Sequence, residues 1–421
     1  MATPLTNWAK NYSFSARRVL HPGSIDEIQA AVREHKRIKV LGSGHSFNGI
    51  ADSDETILRL DKLPRAIRLD ASDATVRATA GITFGALGVH LHERGFSIPN
   101  LASLPHISLA GAFATGTHGS GTANPVLATS VIALDMVRAD GELVTLSRAA
   151  DGALFDGVVV GLGALGVVVS VTLDVIPAFE VVQDIYLDLP FDAALAGFDE
   201  LMASAYSVSL FADWRQAAFD TVWCKSRVGD PNRRDAKTAL FGARPATTKQ
   251  HPIPGLDAVP CTEQFSLPGP AHERLPHFRM DFAPSHGDEL QSEYLMPREH
   301  AAAAFNALRP RGSEIARLGM VSEVRTVAAD SLWMSPAYGR DSVAFHFTWK
   351  SDWEAVQGLL TKLEAALAPF AARPHWGKLF MMGPAEVRRQ YPRMADFREL
   401  VRRLDPHGKF RNRFLDTYVL D

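Results

Sequence analysis

The residues that could do chemistry most directly lie in the glycine-rich turn Gly42-Ser43-Gly44-His45-Ser46-Phe47-Asn48. Glycine adopts positive φ without a steric penalty, so Gly42 and Gly44 can turn successive N–H groups toward one point and bind a pyrophosphate. The dinucleotide fingerprint G-x-G-x-x-G fails, because Phe47 occupies the position of its third glycine and no helix obviously follows. The turn therefore predicts an anion nest and disfavours a nicotinamide site of the Rossmann type.

The same turn nearly matches the nucleophile elbow G-x-S-x-G, beginning at Gly44. However, Asn48 occupies the last position and no helix-forming run comes after it, so a serine hydrolase is set aside. Two interpretations of His45 stay open on the residues alone. Its imidazole is either hydrogen-bonded to the backbone of the turn or is a covalent tether for a flavin.

A second unusual segment, from Gly95 to Leu134, contains no aspartate, glutamate, lysine or arginine. It is long enough to span a membrane, but its proline, hydroxyl, histidine and glycine residues would leave backbone polar groups unsatisfied in hydrocarbon. Small side chains would allow a flat ring system and a diphosphate to lie against this backbone. A tightly packed interior loop is the alternative that the composition leaves open.

Two later segments alternate polar and apolar residues. Glu323 and Arg325 share one side of a predicted strand, and Val324 faces the other side. His346 and Thr348 share a face in the same manner. One polar sheet face is therefore predicted, although the solvated side of an antiparallel sheet has the same pattern.

Prolines recur between Pro231 and Pro276, and periodic runs are scarce there, which predicts a long irregular excursion within a second domain. The stretch from His272 to His277 misses the zinc-protease pattern H-E-x-x-H by one residue. It also has Pro276 where a helix would be needed. We therefore expect no metal site.

The elements that must position these residues are both helices and strands. A capping box at Ser24 and Glu27 begins a helix, and the run from Ile38 to Leu41 begins the strand that enters the glycine turn. Asp140-Gly141 between two apolar runs predicts a β-hairpin, and the run from Gly166 to Ile176 predicts a buried strand. The pattern is that of an α+β fold.

Composition restricts the class of protein and its partners. The chain has 421 residues, 22% of them charged, and a formal net charge of −3, which is typical of a globular protein of two or three domains. Without a basic field, we expect neither nucleic acid nor a membrane as partner. Cys224 and Cys261 are too few for a disulfide framework, and no secretory signal is visible, so a cytoplasmic location is expected. No heptad or exposed apolar stripe indicates an oligomer, and we expect a monomer.

The glycine turn resembles the FAD-linking loop of the vanillyl-alcohol-oxidase superfamily, above all its branch of alditol and xylitol oxidases. The segment 101–121, the stretch from Arg373 to Lys378, and the stretch from Asp405 to Asn412 resemble the same branch. The resemblance extends from Asn7-Trp8 almost to the end of the chain. In that branch the loop histidine is bonded covalently to the flavin, which His45 would therefore carry.

The resemblance implies an FAD-binding domain in two parts and a cap domain on a mixed or antiparallel sheet flanked by helices. Its boundaries would be 1–176 and 374–421 for the FAD-binding domain and 177–373 for the substrate-binding cap. No cysteine lies near the segment 101–121, so a second covalent link to the flavin is excluded. The positions carried over as FAD contacts are Leu41, Gly42, Ser43, Gly44, His45, Ser46, Ser103, Ser108, Gly111, Thr115, Gly116, Thr117, His118, Gly166 and Val167.

The resemblance also implies a substrate and a reaction. A small polyol such as xylitol or sorbitol would be oxidised at its terminal hydroxyl by hydride transfer to flavin N5, and O2 would be reduced to H2O2. Arg325 and Lys378 would stabilise the negative charge on the oxygen, and Glu323 would orient Arg325 or act as a base. The positions carried over for binding the polyol are Ser103, Glu323, Arg325, Thr348 and Lys378.

Three points stay open at this stage. The group that takes the hydroxyl proton is undecided, and so is the preferred alditol. Ala102 occupies the position expected near the oxygen-reacting carbon of the flavin, where bulk influences oxygen access. The competing hypotheses are an aldonolactone-type flavin dehydrogenase that uses another acceptor and a non-catalytic carbohydrate-binding protein of the same fold.

Overall fold

The structure, a computed structural model, describes residues 4–231, 233–282 and 287–421. The strands are β1 (Arg18–Leu20), β2 (Ile38–Val40), β3 (Thr56–Leu58), β4 (Ile67–Asp70), β5 (Thr75–Thr79), β6 (Phe96–Ser97), β7 (Val131–Val137), β8 (Leu143–Ser147), β9 (Val167–Asp174), β10 (Ile176–Pro177), β11 (Glu180–Pro190), β12 (Ser207–Ala212), β13 (Ala218–Arg227), β14 (Arg244–Pro245), β15 (Gly269–Pro270), β16 (Glu289–Pro297), β17 (Gly319–Val327), β18 (Ser342–Lys350) and β19 (Arg373–Pro374).

The α-helices lie between and after these strands. They are α1 (Ile25–Glu34), α2 (Phe84–His92), α3 (Leu109–Ala114), α4 (Arg148–Asp151), α5 (Ala153–Val159), α6 (Phe191–Ala196), α7 (Phe198–Met202), α8 (Ala271–Arg274), α9 (Ala301–Leu308), α10 (Gly312–Leu318), α11 (Trp353–Leu367), α12 (Pro384–Gln390), α13 (Met394–Leu404) and α14 (Arg413–Leu415). Within the described ranges, every helix falls short of the length and apolarity needed to cross a membrane.

The first half of the chain builds three sheets, one of which is the antiparallel pair of β6 and β10. Strands β1, β3 and β2 pair in parallel, and strands β4, β5, β9, β7 and β8 pair in that order as an antiparallel sheet. The predicted N-cap at Ser24 is confirmed, because Ser24 Oγ accepts a hydrogen bond from Glu27 N at 3.2 Å, whereas Glu27 Oε2 accepts from Gly23 N at 2.8 Å, one residue before the N-cap. The predicted hairpin at Asp140-Gly141 is also confirmed, as the β7–β8 connection. These elements carry the chain into and out of the glycine turn.

The second half builds one large antiparallel sheet in the order β14-β11-β13-β12-β17-β18-β16-β19, with β15 paired to β11. Helices α9, α10 and α11 bury their apolar faces against one side of it, where Phe305 and Leu360 join the core that contains Val324 and Phe345. This confirms the predicted alternation and the α+β class. The domain boundaries at residues 176 and 373 stay a prediction, although strands β11 to β19 share one sheet.

Candidate active site

One cavity lies between the glycine turn and the polar face of the large sheet. Its volume is about 270 Å³, whereas a second cavity, lined by Ala110, Phe113 and other apolar residues, measures about 30 Å³, too little space for a cofactor. Most of the predicted site residues line the large cavity. They are Leu41, Gly42, Ser43, Gly44, His45, Ser46, Ser103, Ser108, Gly111, Thr115, Thr117, His118, Glu323, Arg325, Thr348 and Lys378.

Three of the predicted cofactor positions lie outside that lining. Gly116 has a φ of 68°, and a Cβ there would lie 2.7 Å from Pro336 Cδ. A Cβ on Gly166 would lie 2.6 Å from Met136 Cγ, and Val167 is buried in β9 opposite Val137. Close packing accounts for these residues in the structure, and their roles as FAD contacts stay a prediction.

The glycine turn approaches the start of α3 closely. A Cβ on Gly42 would lie 2.5 Å from Ser108 Oγ, and a Cβ on Gly111 would lie 2.9 Å from the same oxygen. Gly44 has a φ of 74°, which favours glycine. Ser108 N donates to Ser43 Oγ at 3.3 Å, and the buried Ser108 Oγ has no hydrogen-bond partner within the part of the chain described. Bare backbone and an orphaned hydroxyl fit the close approach of a phosphate-bearing cofactor such as FAD.

His45 lies on the wall of this cavity. Its ring stacks on Trp8 with a centroid distance of 4.9 Å, and Trp8 N donates to Gly44 O at 2.8 Å. Burial, together with the charges of Lys378 and His106, lowers the pKa of His45 to about 4. The imidazole is therefore neutral at physiological pH and keeps a free nitrogen lone pair, as a covalent bond to a flavin requires. The sequence did not single out Trp8 as the residue that orients this ring.

The turn is fastened to the C-terminal part of the chain. Phe47 N donates to Gly377 O at 2.8 Å, and Asn48 Nδ2 donates to Trp376 O and Lys378 O at 2.9 and 2.8 Å. Asn412 Nδ2 donates to three carbonyls just beyond the turn, those of Gly49, Ile50 and Asp52. Residues of the C-terminal part of the chain thus hold both the glycine turn and the backbone that follows it.

The polar sheet face consists of aligned positions on three adjacent strands. Glu323 on β17 lies opposite His346 on β18, which lies opposite Glu293 on β16. Arg325 reaches across this face, with Nη2 at 2.7 Å from Glu293 Oε1 and Nε at 3.4 Å from Glu323 Oε2. Its Nη1 donates to Ser103 Oγ at 3.4 Å, which joins the sheet to the uncharged segment.

Glu293 is a site residue that sequence analysis missed. It is 2% exposed and contacts Arg325, His118 Nε2 at 3.2 Å and His346 Nδ1 at 3.5 Å. Burial alone would raise its pKa, but Arg325 and His118 lower it well below the usual value. The signal was the alternation of Glu289, Gln291 and Glu293 along β16, which repeats the pattern of the two strands that were recognised.

Arg325 is a permanent cation in this arrangement. Burial would lower its pKa, but Glu323 and Glu293 raise it above the usual value. Burial would also raise the pKa of Glu323, but Arg325 and His277 lower it well below the usual value. Glu323 is therefore ionised and a weak base, which favours the orienting role expected for it.

Lys378 lies at the other side of the same face. Its ammonium contacts Gln291 Oε1, and Gln291 Nε2 donates to Glu289 Oε1 at 2.6 Å. It also lies 5.1 Å from the centre of the Phe47 ring. Burial lowers its pKa to about 8, so Lys378 is mostly charged at pH 7. Thr348 Oγ1 lies 3.2 Å from His346 Nε2 and completes the row of polar groups.

The irregular excursion contributes a further wall. His251, Pro252, Ile253, His277 and Phe278 line the cavity. His277, which ends the near-miss zinc motif, directs Nε2 to Glu323 Oε1 at 2.9 Å. Sequence analysis missed this role, because only tertiary packing brings the excursion beside β17.

Comparison with known proteins agrees with this geometry. Residues 16–147 match the family described as FAD binding domain, and residues 288–418 match D-arabinono-1,4-lactone oxidase. The alditol oxidase of Streptomyces sp. (strain IKD472 / FERM P-14339) is 48% identical over 420 residues, covering 99% of each chain. The L-gulonolactone oxidase of Mus musculus is 24% identical over 438 residues, covering 97% of each chain.

Solved structures share the fold at low identity. A solvent-stable cholesterol oxidase has a TM-score of 0.78 at 15% identity, covering 99% of this chain and 97% of that chain. A chitooligosaccharide oxidase has a TM-score of 0.74 at 14% identity, covering 99% and 94% of the two chains. Fold and cavity together define an FAD-linked oxidase of the vanillyl-alcohol-oxidase type. Within that class, the chain belongs to the alditol oxidase branch, because the identity to the Streptomyces protein extends over the full length.

Proposed function

We propose that this protein oxidises the terminal hydroxyl of a sugar alcohol such as xylitol or sorbitol to the aldehyde, with O2 reduced to H2O2. The observation that carries the proposal is the convergence of five polar side chains on the cavity that the glycine turn also lines. They are Ser103, Glu323, Arg325, Thr348 and Lys378. The 48% identity to the alditol oxidase of Streptomyces supports the same reaction.

The arrangement suits a ligand that has a hydroxyl on every carbon. Ser103 and Thr348 can donate or accept hydrogen bonds, Arg325 and Lys378 donate, and Glu323 accepts. Ser103 comes from the uncharged segment, and Lys378 comes from the C-terminal part of the chain. Glu323, Arg325 and Thr348 come from β17 and β18 of the large sheet. The five groups therefore surround the ligand from several sides. A short apolar alcohol would leave most of them unpaired, which is costly in a buried site.

Bound FAD supplies the acceptor for the hydride that leaves the carbon. The protein must then manage the hydroxyl oxygen and its proton. Arg325 and Lys378 are the cations of the pocket and stabilise negative charge on that oxygen as the proton leaves. Loss of one such donor costs on the order of 3 kcal/mol in comparable sites.

Covalent attachment of FAD through His45 is part of the proposal. Its support is the neutral, half-buried imidazole that stacks on Trp8 beside the glycine turn. The stacking restricts the ring to one orientation, and the hydrogen bond from Trp8 N to Gly44 O fixes the backbone beside it. A tethered cofactor would stay bound through every turnover.

The test is anaerobic addition of xylitol, sorbitol, mannitol or glycerol to the purified yellow protein. We expect the flavin absorbance to bleach with one or more of them, and peroxide to accumulate under air. The second candidate is an aldonolactone dehydrogenase, and the match of residues 288–418 to a lactone oxidase family supports its lactone substrate. Bleaching by L-gulono-1,4-lactone but by no alditol, without peroxide under air, would replace the first proposal with the second.

A further inference from the structure

A buried lysine and histidine lie behind Glu323, and the reaction described so far gives them no task. Lys225 on β13 is 1% exposed, and His277 is 5% exposed. Lys225 Nζ lies 3.2 Å from His277 Nδ1, and His277 Nε2 lies 2.9 Å from Glu323 Oε1. His277 and Glu323 line the cavity, whereas Lys225 lies behind them. The three side chains form a continuous hydrogen-bonded row that leads from the cavity into the protein.

The geometry around Lys225 accommodates two protonation states. Its ammonium donates to Leu275 O at 2.6 Å, to Pro276 O at 2.8 Å and to His277 Nδ1. The two carbonyls can only accept, but an imidazole nitrogen can accept or donate. A neutral amine would therefore keep both carbonyl bonds and use its lone pair to accept a hydrogen bond from His277 Nδ1–H. In that state the Nε2 lone pair of His277 faces Glu323 Oε1 at 2.9 Å, where it can accept a proton that enters from the cavity.

The surroundings of the row keep the other groups from titrating near neutral pH. Burial lowers the pKa of Lys225 to about 7, Glu323 and Cys261 oppose that change, and Arg274 assists it. Burial lowers the pKa of His277 to about 4, assisted by Lys225 and Arg325 and opposed by Glu323. Burial raises the pKa of the Cys261 thiol to about 12. Phe211 and Trp223 pack edge-on against the His277 ring and exclude solvent.

We propose that Lys225 and His277 form a proton reservoir that stores the proton of the alcohol hydroxyl and returns it when oxygen is reduced. This inference rests on the proposed oxidase reaction. Converting an alcohol and O2 into an aldehyde and H2O2 moves two electrons and two protons. The hydride carries both electrons and one proton, and the hydroxyl supplies the second proton, so no proton from solvent is required.

The return step follows the hydrogen bonds in the structure. A proton passes from the Lys225 ammonium to His277 Nδ1, the proton on Nε2 passes to Glu323, and Glu323 gives it to the oxygen species in the cavity. The next alcohol reverses the path, because its O–H bond breaks toward Glu323. His277 Nε2 then receives that proton, and Nδ1–H passes its own to the Lys225 amine. Glu323 holds the proton only transiently between the cavity and His277, because the pKa of its carboxyl is lowered.

The test measures the two half-reactions separately in the holoenzyme. In one, xylitol reduces the enzyme anaerobically at saturating concentration, and in the other the photoreduced enzyme is mixed with oxygen, both between pH 5.5 and 8.5. The reservoir accepts a proton when Lys225 is neutral, at higher pH, and donates one when Lys225 is charged, at lower pH. The limiting rate of reduction should therefore rise through neutral pH, and the rate of oxidation should fall. Wild-type rates that change in the same direction, or not at all, would overturn the reservoir.

Substitution of Lys225 separates proton storage from structural support. Arginine keeps the positive charge and the donors to both carbonyls but does not release a proton, so Lys225→Arg should slow both half-reactions about 100-fold and abolish both pH profiles. His277→Gln should do the same, because it breaks the path. Lys350→Arg, at an exposed lysine that bonds Arg317 O, is the matched control. Wild-type behaviour of folded Lys225→Arg protein would refute the proposal. Failure of every alditol to bleach the wild type would instead refute the oxidase function.

Discussion

The guanidinium of Arg325 lies closer to Glu293 than to Glu323, its neighbour on the same strand. The distances are 2.7 Å to Glu293 Oε1 and 3.4 Å to Glu323 Oε2. Neighbours two apart on one strand share a face, but the partner across the sheet makes the shorter contact here. The Arg325 guanidinium is therefore anchored from two strands, and its position depends on the register of β16 against β18 and of β18 against β17.

Replacing Glu293 with Gln should impair catalysis and stability together. The change keeps the shape of the side chain but leaves the buried Arg325 with one carboxylate, and breaking such a pair costs about 3–5 kcal/mol. We expect a fall of at least tenfold in the limiting rate of anaerobic reduction and a lower thermal midpoint. Glu299→Gln, at a 79% exposed side chain, is the control and should behave as wild type. Unchanged kinetics in E293Q would show that Glu323 alone positions the arginine.

Replacing His45 with Ala should release the cofactor. If the imidazole is the tether, acid-precipitated and washed wild-type protein will stay yellow, whereas precipitated H45A protein will be colourless and any FAD will appear in the supernatant. Absorbance in the flavin bands of both fractions measures this directly. His21→Ala removes an exposed histidine that contacts Asp61 and should leave the pellet yellow. A colourless wild-type pellet would contradict the covalent bond but not the binding of FAD.

The affinity for alditol should fall above pH 8. Lys378 has a pKa lowered by burial to about 8, so its charge is present below that pH and is lost above it. A neutral amine has one donor fewer for the polyol and less attraction for negative charge on its oxygen. We therefore expect the dissociation constant for xylitol to rise between pH 8 and 9. This constant is obtained from the dependence of the anaerobic flavin-reduction rate on xylitol concentration. Lys378→Arg stays charged in that range and should show no such rise.

Gly42→Ala should disturb the cofactor site through a single contact. The added Cβ would lie 2.5 Å from Ser108 Oγ, and overpacking of this kind costs about 1–3 kcal/mol. We expect a lower FAD content per chain and a lower thermal midpoint. The double variant G42A/S108A removes the clashing oxygen and should recover part of both losses. Gly23→Ala, whose Cβ would meet its first neighbour at 3.9 Å, is the control for adding a methyl group.

Stability should decrease as pH rises toward neutrality because of Glu364. Burial raises its pKa from 4.5 to about 7, although Tyr294 Oη and Met381 N donate to its carboxyl. The unfolded carboxyl loses its proton near pH 4.5 and the folded one near pH 7. The folded state is therefore disfavoured progressively across that window, by up to about 3 kcal/mol. Glu364→Gln should remove this part of the slope in urea unfolding between pH 5 and 7, and Glu354→Gln, on the exposed first turn of α11, should not.

Local chemistry made much of the fold predictable. The cap at Ser24, the hairpin at Asp140-Gly141 and the alternation around Val324 each depend on neighbours in the sequence, and the structure has all three. Glu293 and His277 were missed for the opposite reason. Their roles arise from strand pairing and from a proline-rich excursion, which join residues far apart in the chain and leave no local signal of what they touch.

The fastening of Phe47 to Gly377 sets an order of events during synthesis. The glycine turn leaves the ribosome before the residues that hold it, because Trp376 follows Asn48 by 328 positions. Until that segment arrives, the turn lacks the hydrogen bonds that hold Phe47 and Asn48 in place. A flavin can therefore meet the loop in its held conformation only after residues 376–378 have been made, and a chain released before residue 376 lacks these hydrogen bonds.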